Sequence, residues 1–103
     1  MAAELPGFTE GLNRLVGTYR WREANGGVAT YSTHTLAAAL RAAGYEYSDS
    51  YIHQLRTGAK RNPSALVLAG LSEAFGDLDV RFWYDMQERI RILRDLDRKT
   101  ELL

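Results

Sequence analysis

The stretch Leu36-Ala37-Ala38-Ala39-Leu40-Arg41-Ala42-Ala43-Gly44-Tyr45-Glu46-Tyr47-Ser48-Asp49-Ser50-Tyr51-Ile52-His53-Gln54-Leu55-Arg56-Thr57-Gly58 decides how this chain is read. Leu36, Ala39, Leu40 and Ala43 recur at helical spacing, and Ser32 and Thr33 are N-cap types just before them, so a helix is predicted near 33–43. Gly44 is placed to end it. Ser48 then caps a second, shorter helix that turns Ile52 and Leu55 inward, and Gly58 closes it. The alanines let the two helices approach closely, while Leu40, Ile52 and Leu55 lock their crossing. Asp49, Ser50, His53, Gln54 and Thr57 are left facing outward. Two short helices joined by a tight, glycine-containing turn, the second polar on its free side, form a helix-turn-helix plan.

Working outward, Phe8, Leu12, Leu15, Val16 and Tyr19 give a first amphipathic helix over about 8–19. Arg20 to Tyr31 contains Asn25-Gly26-Gly27 without periodicity and reads as a loop. Asn62-Pro63-Ser64 forms a turn, with Ser64 capping a helix over 65–75 that Gly76 stops. Asp77 or Asp79 caps a short segment from Val80 to Tyr84, and a last helix runs over about 85–101. There is no strand-like alternation, internal repeat or low-complexity tract. The fold class predicted is all-α: a five-helix orthogonal bundle plus a C-terminal amphipathic helix. A domain over residues 1–79 is expected to precede a helical extension over 80–103.

The chain has no cysteine, which removes disulfides, thiolate metal sites and cysteine nucleophiles together. Residues Met1 to Pro6 lack a basic region followed by an apolar run, and no window approaches the roughly 18–20 apolar residues that span a bilayer. The expectation is a cytoplasmic protein. With 13 basic and 13 acidic residues the formal net charge is zero, which argues mildly against a nucleic-acid partner. The distribution argues the other way. No acidic residue lies between Ser50 and Ser72, while Arg56, Lys60 and Arg61 fall in that window beside His53. Acids gather at Glu73, Asp77, Asp79 and Asp85, so the charge is polarised along the chain, as a phosphate-facing surface requires.

Three groups of residues carry a resemblance: Leu36-Ala37…Gly44; Ser48-x-Ser50-Tyr51-Ile52-x-Gln54-Leu55-Arg56-x-Gly58-x-Lys60-x-Asn62-Pro63-Ser64; and Leu68-x-x-Leu71-x-x-Ala74-Phe75-Gly76. Together they resemble the Xre/Cro/C1-type helix-turn-helix DNA-binding family, most of all the EspR-like actinobacterial nucleoid-associated regulators, over about residues 8–85. The resemblance implies a lambda-repressor-like bundle, double-stranded DNA as partner, a nucleoid location and a transcription regulator acting as a homodimer. It maps base contacts to Asp49, Ser50 and Gln54. Backbone or flanking contacts fall on Thr33, Thr35, Tyr51, His53, Arg56, Lys60, Arg61 and Asn62. Gln54 is the strongest reader, because its amide can pair with adenine N6 and N7 together.

The chain departs from the pattern in places. The connection between the two helices is two residues longer than in the common repressors, and Thr33-His34-Thr35 stands where many carry glutamine. Asp49 accepts from cytosine N4 or, alternatively, orients Arg56 or Lys60. Arg56 has a competing assignment as an ion-pair partner of Glu46 or Asp49, and Lys60 and Arg61 as plain solubility charges.

Phe82-Trp83-Tyr84 suits a core or an interface better than a base-stacking platform. Phe82, Trp83, Met86, Ile90 and Leu93 are assigned to a dimer interface, the last three at heptad-like steps among Arg89, Arg91, Arg94, Arg98 and Lys99. The competing reading folds this helix back on its own bundle. His34 and His53 lack a third ligand at metal spacing, and Ser48, Asp49, Ser50 and His53 cannot converge as a triad from one helix. Neither a cofactor, a metal nor an enzymatic activity is expected. The alternative function is a protein-interaction adaptor, or an antitoxin-like module, with weak or lost DNA binding.

Overall fold

Serine side chains set the starts of three central helices, and glycines turn the chain after two of them. The computed structural model describes residues 7–101, so the reading of Met1 to Pro6 concerns residues outside that range. Among the described residues there are six helices: α1 (Phe8–Thr18), α2 (Thr33–Ala42), α3 (Asp49–Thr57), α4 (Ala65–Ala74), α5 (Arg81–Tyr84) and α6 (Met86–Glu101). Ser32, Ser48 and Ser64 cap α2, α3 and α4, each accepting from the backbone N–H three residues on. Gly44 and Gly58 follow α2 and α3 at φ 96° and 87°, a region in which a Cβ is strained. These two glycines turn the chain sharply on either side of α3.

The segment expected to be a plain loop contains a short antiparallel ribbon, β1 (Trp21–Arg22) paired with β2 (Val28–Ala29). Two residues per strand are too few for alternation to appear in the sequence. The turn supplies the order: Asn25 Oδ1 accepts from the Gly27 N–H at 2.8 Å, and Gly26 takes φ 87°.

The core runs continuously through Phe8, Leu12, Leu15, Leu36, Leu40, Ile52, Leu55, Leu68, Leu71, Phe82 and Trp83. Helix α2 packs against α3 and α4, α1 against α3 and α6, and α5 against α6. The radius of gyration, 13.3 Å, equals the about 13 Å of a compact domain of this length, because α6 lies along the bundle.

This corrects the assignment of Phe82 and Trp83 to a dimer interface. They are 0% and 1% exposed within a single chain. The Trp83 ring lies 5.5 Å from that of Phe8, and its Nε1 donates to Ser72 Oγ at 2.9 Å. A short helix cannot present three consecutive aromatics to one side; α5 turns Phe82 and Trp83 inward and Tyr84 out. Leu93 is half-buried against the core, whereas Met86 and Ile90 remain about half exposed.

Arg89, one of the basic residues read as surrounding the heptad-like positions of the last helix, is also buried, with 6% exposure. Its Nε and Nη2 donate to the carbonyls of Phe82 and Trp83 at 3.0 and 3.1 Å, and its guanidinium carbon sits 5.5 Å from the Phe82 ring centroid. Those carbonyls belong to the last turn of α5, where no helical N–H follows to satisfy them.

Candidate nucleic-acid interface

Helix α3 is nine residues long, and its burial pattern divides it cleanly. Ile52 and Leu55 are fully buried, while Ser50, His53 and Thr57 are exposed and Gln54 is half-exposed. The side chains of Ser50, His53 and Gln54 have no hydrogen-bond partner among the described residues. Helix α6 packs on α1 and α5 and leaves this face open. Beyond α3, Lys60, Arg61 and Asn62 are exposed. Arg61 spends its Nε on the Gly58 carbonyl at 3.0 Å, and Lys60 has no ion-pair partner among the described residues. An unpartnered polar strip with two cations beyond its C-terminal end is thus held on a rigid element.

Asp49 is placed differently from a free reader. Its Oδ2 lies 2.6 Å from His34 Nδ1, and its Oδ1 accepts from Arg41 Nη1 at 3.2 Å. Hydrogen bonds from His34, then Arg41, hold its carboxyl below the usual carboxylate range. Arg41 also donates to the Tyr47 carbonyl at 2.9 Å, so α2 grips both the connection and the first residue of α3. The two alternatives read from sequence, Arg56 and Lys60, are not its partners.

Arg56 is half-buried and turned toward α1 and α2. Its Nε donates to Asn13 Oδ1 and its Nη1 to Thr33 Oγ1, both at 2.9 Å, while Asn13 Nδ2 donates back to the Arg56 carbonyl at 2.8 Å. Neither Glu46 nor Asp49 pairs with it. This side chain braces three helices, and it occupies the Thr33 hydroxyl assigned to phosphate. Thr35 is likewise engaged: its Oγ1 accepts from the Ser32 N–H at 2.7 Å, completing a capping box. Tyr51 stacks on Tyr47 at 5.2 Å and rests against the core, and burial raises its phenol.

The structure therefore brings Ser50, His53, Gln54, Lys60, Arg61 and Asn62 to one accessible stretch, and commits Asp49, Thr33, Thr35 and Arg56 to internal bonds. Among the described residues, no group of three His, Asp or Glu side chains is placed to hold a metal ion. No helix among them is long and apolar enough to cross a membrane. Elsewhere, a groove of about 490 Å³ runs between α1 and α6, floored by Tyr19, Phe75, Leu78, Ile92 and Leu96. Nothing in the sequence signals it, because its walls come from three separate elements. No family model matches the chain, and no curated protein matches it in sequence.

Proposed function

We propose that this chain is a sequence-specific DNA-binding transcription regulator, with α2 and α3 as its helix-turn-helix within a lambda-repressor-like bundle. One observation carries the reading: Ser50, His53 and Gln54 line an open polar strip that the protein itself leaves unused, with Lys60 and Arg61 just past it. A helix of this length and polarity suits the major groove, where Gln54 addresses adenine and Ser50 a neighbouring base. Lys60, Arg61 and Asn62 then address phosphates, which fix position without reading sequence. Asp49, Arg56 and Thr33 set the angle at which α3 stands, so they act on binding indirectly. The nucleoid is the location this activity implies.

The working form is a homodimer, since two copies address half-sites about 34 Å apart. Its contact surface is Val80, Tyr84, Met86 and Ile90, which are 49–60% exposed and follow one another along α5 and α6.

Fluorescence anisotropy with duplexes selected from a random pool tests the reading. Binding should weaken steeply with salt, and Lys60→Ala or Arg61→Ala should each lower the salt slope by about one unit. Gln54→Ala should remove ~1–3 kcal/mol of preference for the best site. Absence of binding to any duplex at low salt would overturn it. The formal neutrality of the chain, together with that exposed apolar run, favours the second reading, a protein-interaction adaptor or antitoxin-like module.

A further inference from the structure

His34 is the second residue of α2, and its side chain is 73% exposed. It stands between Thr33, which Arg56 holds, and Thr35, which closes the capping box. The ring is not free to turn, because Nδ1 lies 2.6 Å from Asp49 Oδ2. An ionised carboxylate only accepts, so the Nδ1 position carries the hydrogen, and Nε2 is left without a partner among the described residues. Asp49 stays ionised through the neutral range under the bonds from His34 and Arg41. Other groups facing this ring are few. Arg41 approaches it through the shared carboxylate, and Tyr31 lines the same shallow pocket together with Trp21 and Thr35. Burial raises the Tyr31 phenol, so that group is neutral throughout.

The charge of the cluster of His34, Asp49 and Arg41 depends on whether the imidazole carries a second proton. With a neutral imidazole its members sum to zero. With an imidazolium they sum to plus one, and Nε2 becomes a second donor pointing away from Asp49. That difference matters only if an anion approaches the ring. The candidate interface, which shares α3 with this cluster through Ser50, the residue next to Asp49, would bring one.

We propose that His34 is a proton-linked phosphate ligand: Asp49 fixes its ring through Nδ1, and its Nε2–H donates to the duplex backbone when the imidazole is protonated. The inference rests on the DNA-binding reading and adds to it a pH dependence. An imidazole ordinarily changes charge between about pH 5 and 8. A phosphate ligand binds the imidazolium more tightly than the neutral ring, so the complex takes up a proton. The added affinity is complete at the low end of that window. It is lost as pH rises through the range in which the complexed ring gives up its proton. Asp49 is a positioning residue in this scheme, since it acts on the duplex through His34.

The test uses the full chain, a labelled duplex selected from a random pool, and anisotropy at constant ionic strength from pH 5.5 to 8.0. The wild type should lose about tenfold in affinity across that span, the size of one charge-assisted contact. His34→Gln should bind the duplex with a flat pH profile, near the wild-type affinity at pH 8. Because His53 lies on the proposed binding strip, the comparison is made in a His53→Gln background, where a pH slope should remain and His34→Gln should remove it. NMR titration of the His34 ring supplies a readout independent of affinity, and its midpoint should move upward when duplex is added. A flat wild-type profile, a slope that survives His34→Gln in that background, or a midpoint unmoved by duplex would overturn the proposal while DNA binding stands. Absence of binding at every pH would overturn the DNA-binding reading and the proposal with it.

Discussion

Replacing Arg89 by methionine removes a charge from the core yet should weaken the fold. The methionine stem fills much of the same space, so the change isolates the guanidinium. Two contributions oppose each other. The substitution leaves the Phe82 and Trp83 carbonyls without the donors now 3.0 and 3.1 Å away, at ~1–3 kcal/mol for each buried acceptor. It also relieves the desolvation of a cation that is 6% exposed, an effect visible in the lowered pKa of this group. The carbonyls should dominate, because α5 is one turn long and the Asp85 N–H closes only the Arg81 carbonyl, leaving those of Phe82 and Trp83 to Arg89. A net loss of ~2–3 kcal/mol is expected, or about 10–20 °C in Tm for a domain of this size. Urea denaturation followed by tryptophan fluorescence measures it directly, since Trp83 lies in the same cluster. Arg89→Lys should fall between the two, its ammonium being a point donor rather than a fork. Equal stability of Arg89→Met and the wild type, within about 0.5 kcal/mol, would refute the capping argument.

Other outcomes follow from the same geometry. Arg56→Ala should cost ~1–3 kcal/mol in denaturant titrations, because the Asn13 and Thr33 oxygens lose a shared donor; a neutral result would return Arg56 to the surface. Asp79 is held at about 2 chiefly by the hydrogen bond from the Arg81 side chain. As its folded value is depressed, its contribution is complete above the ordinary carboxylate range and is lost as pH falls through about 2. NMR titration should show this midpoint, and Arg81→Gln should move it up toward the usual 3.8. Gly44→Ala should destabilise by ~1 kcal/mol through backbone strain alone, since a Cβ there meets no neighbour within 4 Å; a stabilising change in thermal melts would contradict the φ of 96°.

What the sequence made legible was local. Serine caps at 32, 48 and 64 and glycines at 44 and 58 act within a few residues, so α2, α3 and α4 were predicted to within one residue. The outward face of α3 followed from the same periodicity. What escaped the reading depends on partners far along the chain. Arg56 meets Asn13 across 43 residues, and Asp49 meets His34 across 15. Periodicity names the face of a helix and not the groups opposite it. Phe82 and Trp83 were misplaced for a related reason: an aromatic run signals burial without saying against what. Arg89 defied its charge because backbone carbonyls, invisible in composition, supply its partners.

The most direct measurement is a map of amide and side-chain NMR shifts on adding a selected duplex to the full chain. The largest changes are expected at Ser50, His53, Gln54, Lys60 and Arg61, with the core around Trp83 undisturbed. Changes confined to Val80, Tyr84, Met86 and Ile90, or no change at any residue at low salt, would contradict the DNA-binding reading.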